Sequence, residues 1–311
     1  MSQVHQGAGE ADSPEGGSRV AGPIRRNLIV VMVVLLGVAI TVIALRVTTG
    51  DDAEAAQLPP HQGRFVVECV YSHSAPDDPI VFPDEPGQSH LHDFFGNTSA
   101  DAFSTTESLV GGDTTCATTQ DAASYWAPAL FADGEKVDPG SSDAYYRAAP
   151  GVDPADVEPY PVGLRMISGD SMATEPQSTD VVGFSCSRQQ VRSTTPRECA
   201  PGAPMTLRVV FPDCWDTRNL DSEDHKSHMA FSDNDGCPSS HPQPLPQLEF
   251  AISYDFDGDL EDLRLASGPP ETAHADFFNA WDPDKLAEEV RYCINLDVYC
   301  SAALADVNGP T

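Results

Sequence analysis

Eight cysteines in a chain of 311 residues, all placed after one long apolar run, set the main limits on how this sequence can fold. They are Cys69, Cys116, Cys186, Cys199, Cys214, Cys237, Cys293 and Cys300. None is spaced as CxxC, so zinc-ribbon and thioredoxin-type arrangements fail. An even number confined to one side of a candidate membrane segment fits four disulfides in an oxidising compartment. Sequence leaves the connectivity open. Short loops favour Cys186–Cys199, Cys214–Cys237 and Cys293–Cys300, which leaves Cys69–Cys116.

The apolar run is Leu28–Leu45, interrupted only by Gly37 and Thr41. As an α-helix it would be about 27 Å long, enough for a bilayer core. A cleaved signal peptide with Ala53–Glu54–Ala55 as its site is the competing reading. The run is longer than a usual signal core, however, and the site lies well beyond its end. Arg25 and Arg26 before the run and Asp51, Asp52 and Glu54 after it place the N-terminus inside. The expected organisation is a disordered cytoplasmic tail (1–26), a transmembrane helix (27–46), a tether (47–62) and an extracytoplasmic domain (63–311). The cell membrane is therefore an expected partner, through residues 27–46, and single-pass attachment the expected localisation.

Formal net charge is -31. Residues 1–50 hold three acids and four arginines, so 45 of the 48 acids and 13 of the 17 basic groups follow them, a net of -32. Such a surface repels phosphate backbones, which excludes nucleic acid as a partner, and it keeps an exported domain soluble.

From Arg64 onward, short apolar runs alternate with Pro, Gly and Asp. Strands are predicted at Phe65–Tyr71, Ser124–Phe131, Gly163–Ser168, Val181–Cys186, Met205–Phe211 and Leu248–Tyr254, with hairpin turns at Asp133–Gly134 and Asp257–Gly258. One soluble helix is predicted, capped by Asp282 with Pro283 at its first position and running from Lys285 to Tyr292. The fold class is mainly β: an antiparallel β-sandwich with long loops and disulfides, preceded by one transmembrane helix.

Six histidines fall in polar clusters: His90 and His92 before Asp93, His225 and His228 after Asp224, His241 after Ser240, and His274 two residues before Asp276. In an extended segment His90 and His92 share a face, and in a helix His225 and His228 stand one turn apart. A carboxylate that accepts one ring N–H frees the other nitrogen as ligand or base. His90, His92, His225, His228 and His274 are thus expected to line one pocket, with Asp93 and Asp276 as orienting partners. A divalent metal is the cofactor such a pocket admits, although no HExxH supports a tight zinc site. In the opposing reading each imidazole simply pins a loop to the sheet. Asp255–Asp262 resembles a calcium loop but has its glycine at the fourth position, so a hairpin explains it better. Asp233–Gly236 reads as an Asx-rich turn. Tyr125, Trp126, Trp215 and Trp281 could stack on sugar rings, and no GxSxG supports a serine nucleophile.

The stretches HLHDFFGN, GLRMISGD, DHKSHMAF with CPSSHP, LPQLEF and HADFFNAWD together resemble domain-of-unknown-function family nineteen-ninety-six, over about residues 80–295. The resemblance implies a secreted or anchored microbial protein and supplies no established activity. Ala275 and Ala280 depart from the glycines usual in the last stretch. The preferred function is recognition of, or chemistry on, cell-envelope polysaccharide through the histidine-rich site; whether the domain is an enzyme stays open. The alternative is a non-catalytic structural or envelope-binding domain with scaffold histidines. A third is metal capture by the acidic surface.

Overall fold

The computed structural model describes residues 63–187, 191–255, 260 and 262–301. The expected tail, transmembrane helix and tether lie outside them, as does Asp257–Gly258. Among the described residues no helix is long and apolar enough to cross a membrane.

The strands in chain order are β1 (Arg64–Ala75), β2 (His92–Gly96), β3 (Ser124–Pro128), β4 (Leu130–Ala132), β5 (Glu135–Val137), β6 (Ser141–Arg147), β7 (Arg165–Gly169) and β8 (Val182–Cys186). They continue with β9 (Met205–Val210), β10 (Cys214–Trp215), β11 (Met229–Ala230), β12 (Gln243–Pro244), β13 (Gln247–Tyr254), β14 (Arg264–Leu265), β15 (His274–Phe278) and β16 (Tyr299–Cys300). The main sheet runs β7-β15-β3-β2-β1-β6-β13-β9-β8, and β16 pairs with β1 in parallel. Every other pairing in it is antiparallel.

The chain is mainly β, as expected, but the strands of the main sheet form one continuous path rather than the two separate sheets of a sandwich; β11-β10-β12 and β14-β4-β5 are small three-stranded sheets in addition to it. The reason lies in β1. Residues 64–70 pair with β6, residues 71–75 pair with β2, and the register breaks between Tyr71 and His73. An irregularity of this kind bends a strand and increases its twist, so one strand serves both halves. The far edge nearly closes the roll, since Ser168 Oγ on β7 donates to the Val210 carbonyl of β9 at 2.5 Å.

Alternation along the strands sends Phe65, Val67 and Cys69 of β1, Ala144 and Tyr146 of β6, and Leu248, Phe250 and Ile252 of β13 into one core. Rings dominate it: Phe65 stacks on Tyr146 with centroids 4.5 Å apart, and Tyr125 stacks on Phe250 at 5.4 Å. The opposite face of β2, β3 and β15 carries a smaller cluster of Phe94, Trp126 and Phe278, roofed by Ile80 and Ala100 from loops and by Leu109 from a one-turn helix.

Four disulfides tie the loops down: Cys69–Cys116, Cys186–Cys199, Cys214–Cys237 and Cys293–Cys300. The three short-loop pairings and the remaining one all form. The Asp133–Gly134 turn joins β4 to β5, with both residues at positive φ, as a primed hairpin turn requires. Helix α1 (Thr106–Leu109) is a single turn; α2 (Pro283–Glu289) has Asp282 accepting the Lys285 N–H as its cap and continues into a π-helical turn over Val290–Asn295.

Candidate functional site

Strand order brings His92 and His274 together. In β2 the alternation that sends Phe95 to the core turns His92 and Phe94 to the opposite face. Phe94 and Asp276 both lie directly opposite Trp126 of β3, one from each side. His92 is paired with Pro128, two residues along β3, and His274 precedes Asp276 by two along β15, so both imidazoles stand on this face. His90, from the loop entering β2, completes the group. Ring centroids are 4.2 Å apart for His90–His92, 5.0 Å for His90–His274 and 5.9 Å for His92–His274. One ring nitrogen from each lies within 4.8 Å of the others.

Two of the tautomers are set by neighbours that can only accept. His92 Nδ1 donates to the Asp77 carbonyl at 2.9 Å, and His274 Nδ1 donates to the Thr272 carbonyl at 2.8 Å. Nε2 of each then carries a lone pair, the state a metal ligand needs. Nε2 of His90 and of His92 is buried without a hydrogen-bond partner among the described residues. Burial lowers the pKa of all three; His90 and His274 push His92 down further, and His274 falls to about 4. Neutral imidazoles follow at ordinary pH.

Asp276 adds a second anomaly on the same face. Its side chain is buried and neither carboxylate oxygen has a partner among the described residues. Burial pushes this carboxyl well above the usual carboxylate range, nearby Asp78 adds to the effect, and Lys226 opposes it. The Trp126 indole N–H across from it is also unpartnered.

The loop from Pro76 to Gln88 covers the site and is held by its own acids. Asp78 Oδ1 accepts the N–H groups of Ile80 and Val81, while the Asp77 carboxylate accepts those of Gly87 and Ala102. Gly169, opposite His274 on β7, has φ +87°, and a Cβ there would sit 2.6 Å from the Ala273 carbonyl oxygen and 2.8 Å from His274 Cα. A side chain at this position would displace the histidine strand. Lys226 Nζ donates to the Gly169 carbonyl at 2.8 Å, which places an ammonium at the rim.

The other expected site residues stand apart from the three-imidazole group. His228 is a loop pin, with Nε2 donating to the Arg165 carbonyl at 2.7 Å and Nδ1 bonded to Ser222 Oγ. His241 likewise bonds Ser240 Oγ and the Ser227 carbonyl. His225, in a left-handed turn rather than a helix, pairs with Asp221 at 3.0 Å; it reaches the site only through the electrostatic field at Asp78. Asp93 points away from His92, as adjacent strand residues must, to Ser74 Oγ and Lys136. Tyr125, Trp126 and Trp281 are fully buried, which removes them as sugar platforms. Asp233–Gly236 is a turn closed by reciprocal backbone bonds. Sequence reasoning did not single out Asp77, Gly169 or Lys226, which act through backbone carbonyls or conformation and leave no compositional signal.

The remaining clusters of His, Cys and acids each include two disulfide sulfurs, so His90–His92–His274 is the group among the described residues with free donors. The profile of a family described as Domain of unknown function (DUF1996) matches residues 78–281, about two thirds of the chain. The chain belongs to this family. The match takes in β2, β3 and β15, hence all three imidazoles and Asp276. No curated protein and no solved structure matches the chain significantly.

Proposed function

We propose that this member of the family is a single-pass, membrane-anchored extracytoplasmic protein whose domain carries a metal centre on His90, His92 and His274 and binds or acts on cell-envelope polysaccharide. The observation that carries the reading is the three-imidazole group itself: neutral rings, two of them oriented by backbone carbonyls, and buried Nε2 atoms of His90 and His92 with no partner among the described residues. An all-imidazole donor set suits zinc or another first-row transition ion. Three protein ligands are also the number that leaves a coordination position open for water or substrate. Asp276 supplies a buried carboxyl group on the same face.

Membrane attachment draws support from the apolar run Leu28–Leu45 behind Arg25 and Arg26, and extracytoplasmic placement from four disulfides. The scaffold reading keeps its own support, because His228 and His241 are each satisfied through both ring nitrogens.

The test has two arms. Protease added to intact cells should remove the domain and spare residues 1–25. The full-length chain, purified with and without added zinc, should retain or cleave isolated envelope polysaccharide only when metal-loaded. Loss of an N-terminal tag to the protease contradicts the topology, and metal-independent glycan behaviour contradicts the role of the centre.

A further inference from the structure

On the outer face of the other half of the roll, three guanidiniums converge on one carboxylate. Arg208 Nη1 of β9 meets Glu249 Oε1 at 2.5 Å; Arg192 Nη2 and Arg147 Nη2 meet Glu249 Oε2 at 2.8 and 3.2 Å. Arg208 also donates to Ser185 Oγ and the Ser187 carbonyl, and Arg192 also donates to the Thr179 carbonyl. Arg147 is the under-compensated member. Among the described residues it donates through Nη2, to Glu249 and weakly to Gln247, and its Nε finds no partner. Burial lowers its pKa, Glu249 opposes the shift, and Arg192, Arg64 and Arg208 add to it. Three guanidiniums around one carboxylate are conspicuous in a chain of net charge -31.

Arg147 and Arg192 of this cluster line a cavity of about 640 Å³, a volume within the range of small-molecule sites. Around Arg147 and Arg192 the lining offers hydroxyls from Ser178 and Thr179 and the amide of Gln247. Phe231 also lines it and is 42 % exposed, an apolar ring available for stacking. Asp180 is the acidic residue of the lining.

We infer that this cavity binds a carboxylate-bearing sugar, a uronate unit of a glycan, with its carboxylate against Arg147 and Arg192 and its ring against Phe231. A planar guanidinium pairs with a carboxylate through parallel hydrogen bonds, hydroxyl and amide groups match sugar hydroxyls, and an aromatic face takes the C–H side of a pyranose. The anion adds negative charge beside Glu249, which faces three guanidiniums. The site is separate from the histidine centre and does not rest on it.

The experiment is calorimetric titration of the full-length chain with trigalacturonate, its methyl ester and inorganic phosphate. Saturable binding of the acid is expected, weakened at least tenfold by esterification, by Arg147→Gln and by Phe231→Ala, and unchanged by a chelator. Phe231 takes no part in the Glu249 cluster, so its variant reads the sugar contact even if Arg147→Gln fails to fold. No binding of the acid, equal binding of acid and ester, or undiminished binding by the Phe231 variant overturns the inference. Displacement of the trisaccharide by an equal concentration of phosphate would reduce the site to a free-anion pocket and overturn the sugar assignment.

Discussion

Two regions of this domain bury polar side chains beside large aromatic rings: one pairs the groups around Tyr125 and Tyr146 and leaves the Tyr254 hydroxyl unpartnered among the described residues, while the other leaves several groups unpaired together. In the main core, Asp121 accepts the Ala123 N–H at 3.1 Å and the Tyr125 hydroxyl at 2.7 Å. Tyr125 and Tyr146 share a short hydroxyl contact, the Trp281 indole donates to Tyr146, and Tyr160 donates to the Pro246 carbonyl. Each of these groups has its partner within the fold. On the opposite face, His90 Nε2, His92 Nε2, the Trp126 N–H and both oxygens of Asp276 have none among the described residues. A buried polar atom left unpaired costs about 1–3 kcal/mol, so a face that collects several is not explained by stability. The satisfied network is architecture. The unsatisfied one, with the His90 and His92 Nε2 atoms left unpartnered, is arranged for something that comes from outside the chain.

The contrast breaks most directly in the core. Trp281→Ala removes a fully buried ring that packs edge-on to Phe65 and Tyr146 and also donates to Tyr146. It should cost about 3–5 kcal/mol in denaturant unfolding, whether or not metal is present. A loss that disappears when zinc is added would mean the two regions are not independent.

His92→Ala and His228→Ala should separate the two kinds of histidine. Zinc at about one hundred times its dissociation constant should stabilise the wild-type chain by about 2.7 kcal/mol. His228→Ala should keep that increment, since the imidazole only ties Arg165 to Ser222. His92→Ala should lose it, and thermal unfolding with and without chelator reads the difference. Equal zinc responses in both variants would erase the distinction.

The third contrast is in pH. Burial raises the Asp121 carboxyl from 3.8 to about 8, with Tyr125 and Ala123 opposing. A carboxyl whose folded value is raised contributes stability that is complete below about pH 3.8 and is lost as pH climbs towards 8, because the folded state holds the proton longer. Asp121→Asn keeps an acceptor for the Ala123 N–H and cannot ionise, so it should flatten that part of the stability curve. An unchanged slope between pH 4 and 8 would show that Asp121 does not carry it.

How much of this was legible in the sequence follows the range of the interactions. Strands such as Met205–Val210 and Gln247–Tyr254 announce themselves through β-branched and aromatic runs, and Asp282–Pro283 marks its helix by local capping chemistry. Short loops likewise favour the disulfides that form. Ser141–Arg147, central in the sheet, is hidden because its polar residues mask Ala144 and Tyr146. The histidine clusters are visible as clusters, but which of them converge depends on β2, β3 and β15 lying side by side, and that order is a property of the whole sheet. Asp93 is different: alternation along an extended segment already separates it from His92. His228 was obscured by its spacing from His225, which suggests a helix where the chain forms turns bonded to Arg165 and Ser222.

The central claim is that the unsatisfied face is a metal centre, and metal stoichiometry tests it most directly. Elemental analysis of the full-length chain, dialysed against zinc and then against metal-free buffer, should find one equivalent in the wild type and in His228→Ala. It should find none in His92→Ala or His274→Ala. A wild-type chain that retains no metal, or retains as much as the His92 and His274 variants do, would contradict the account.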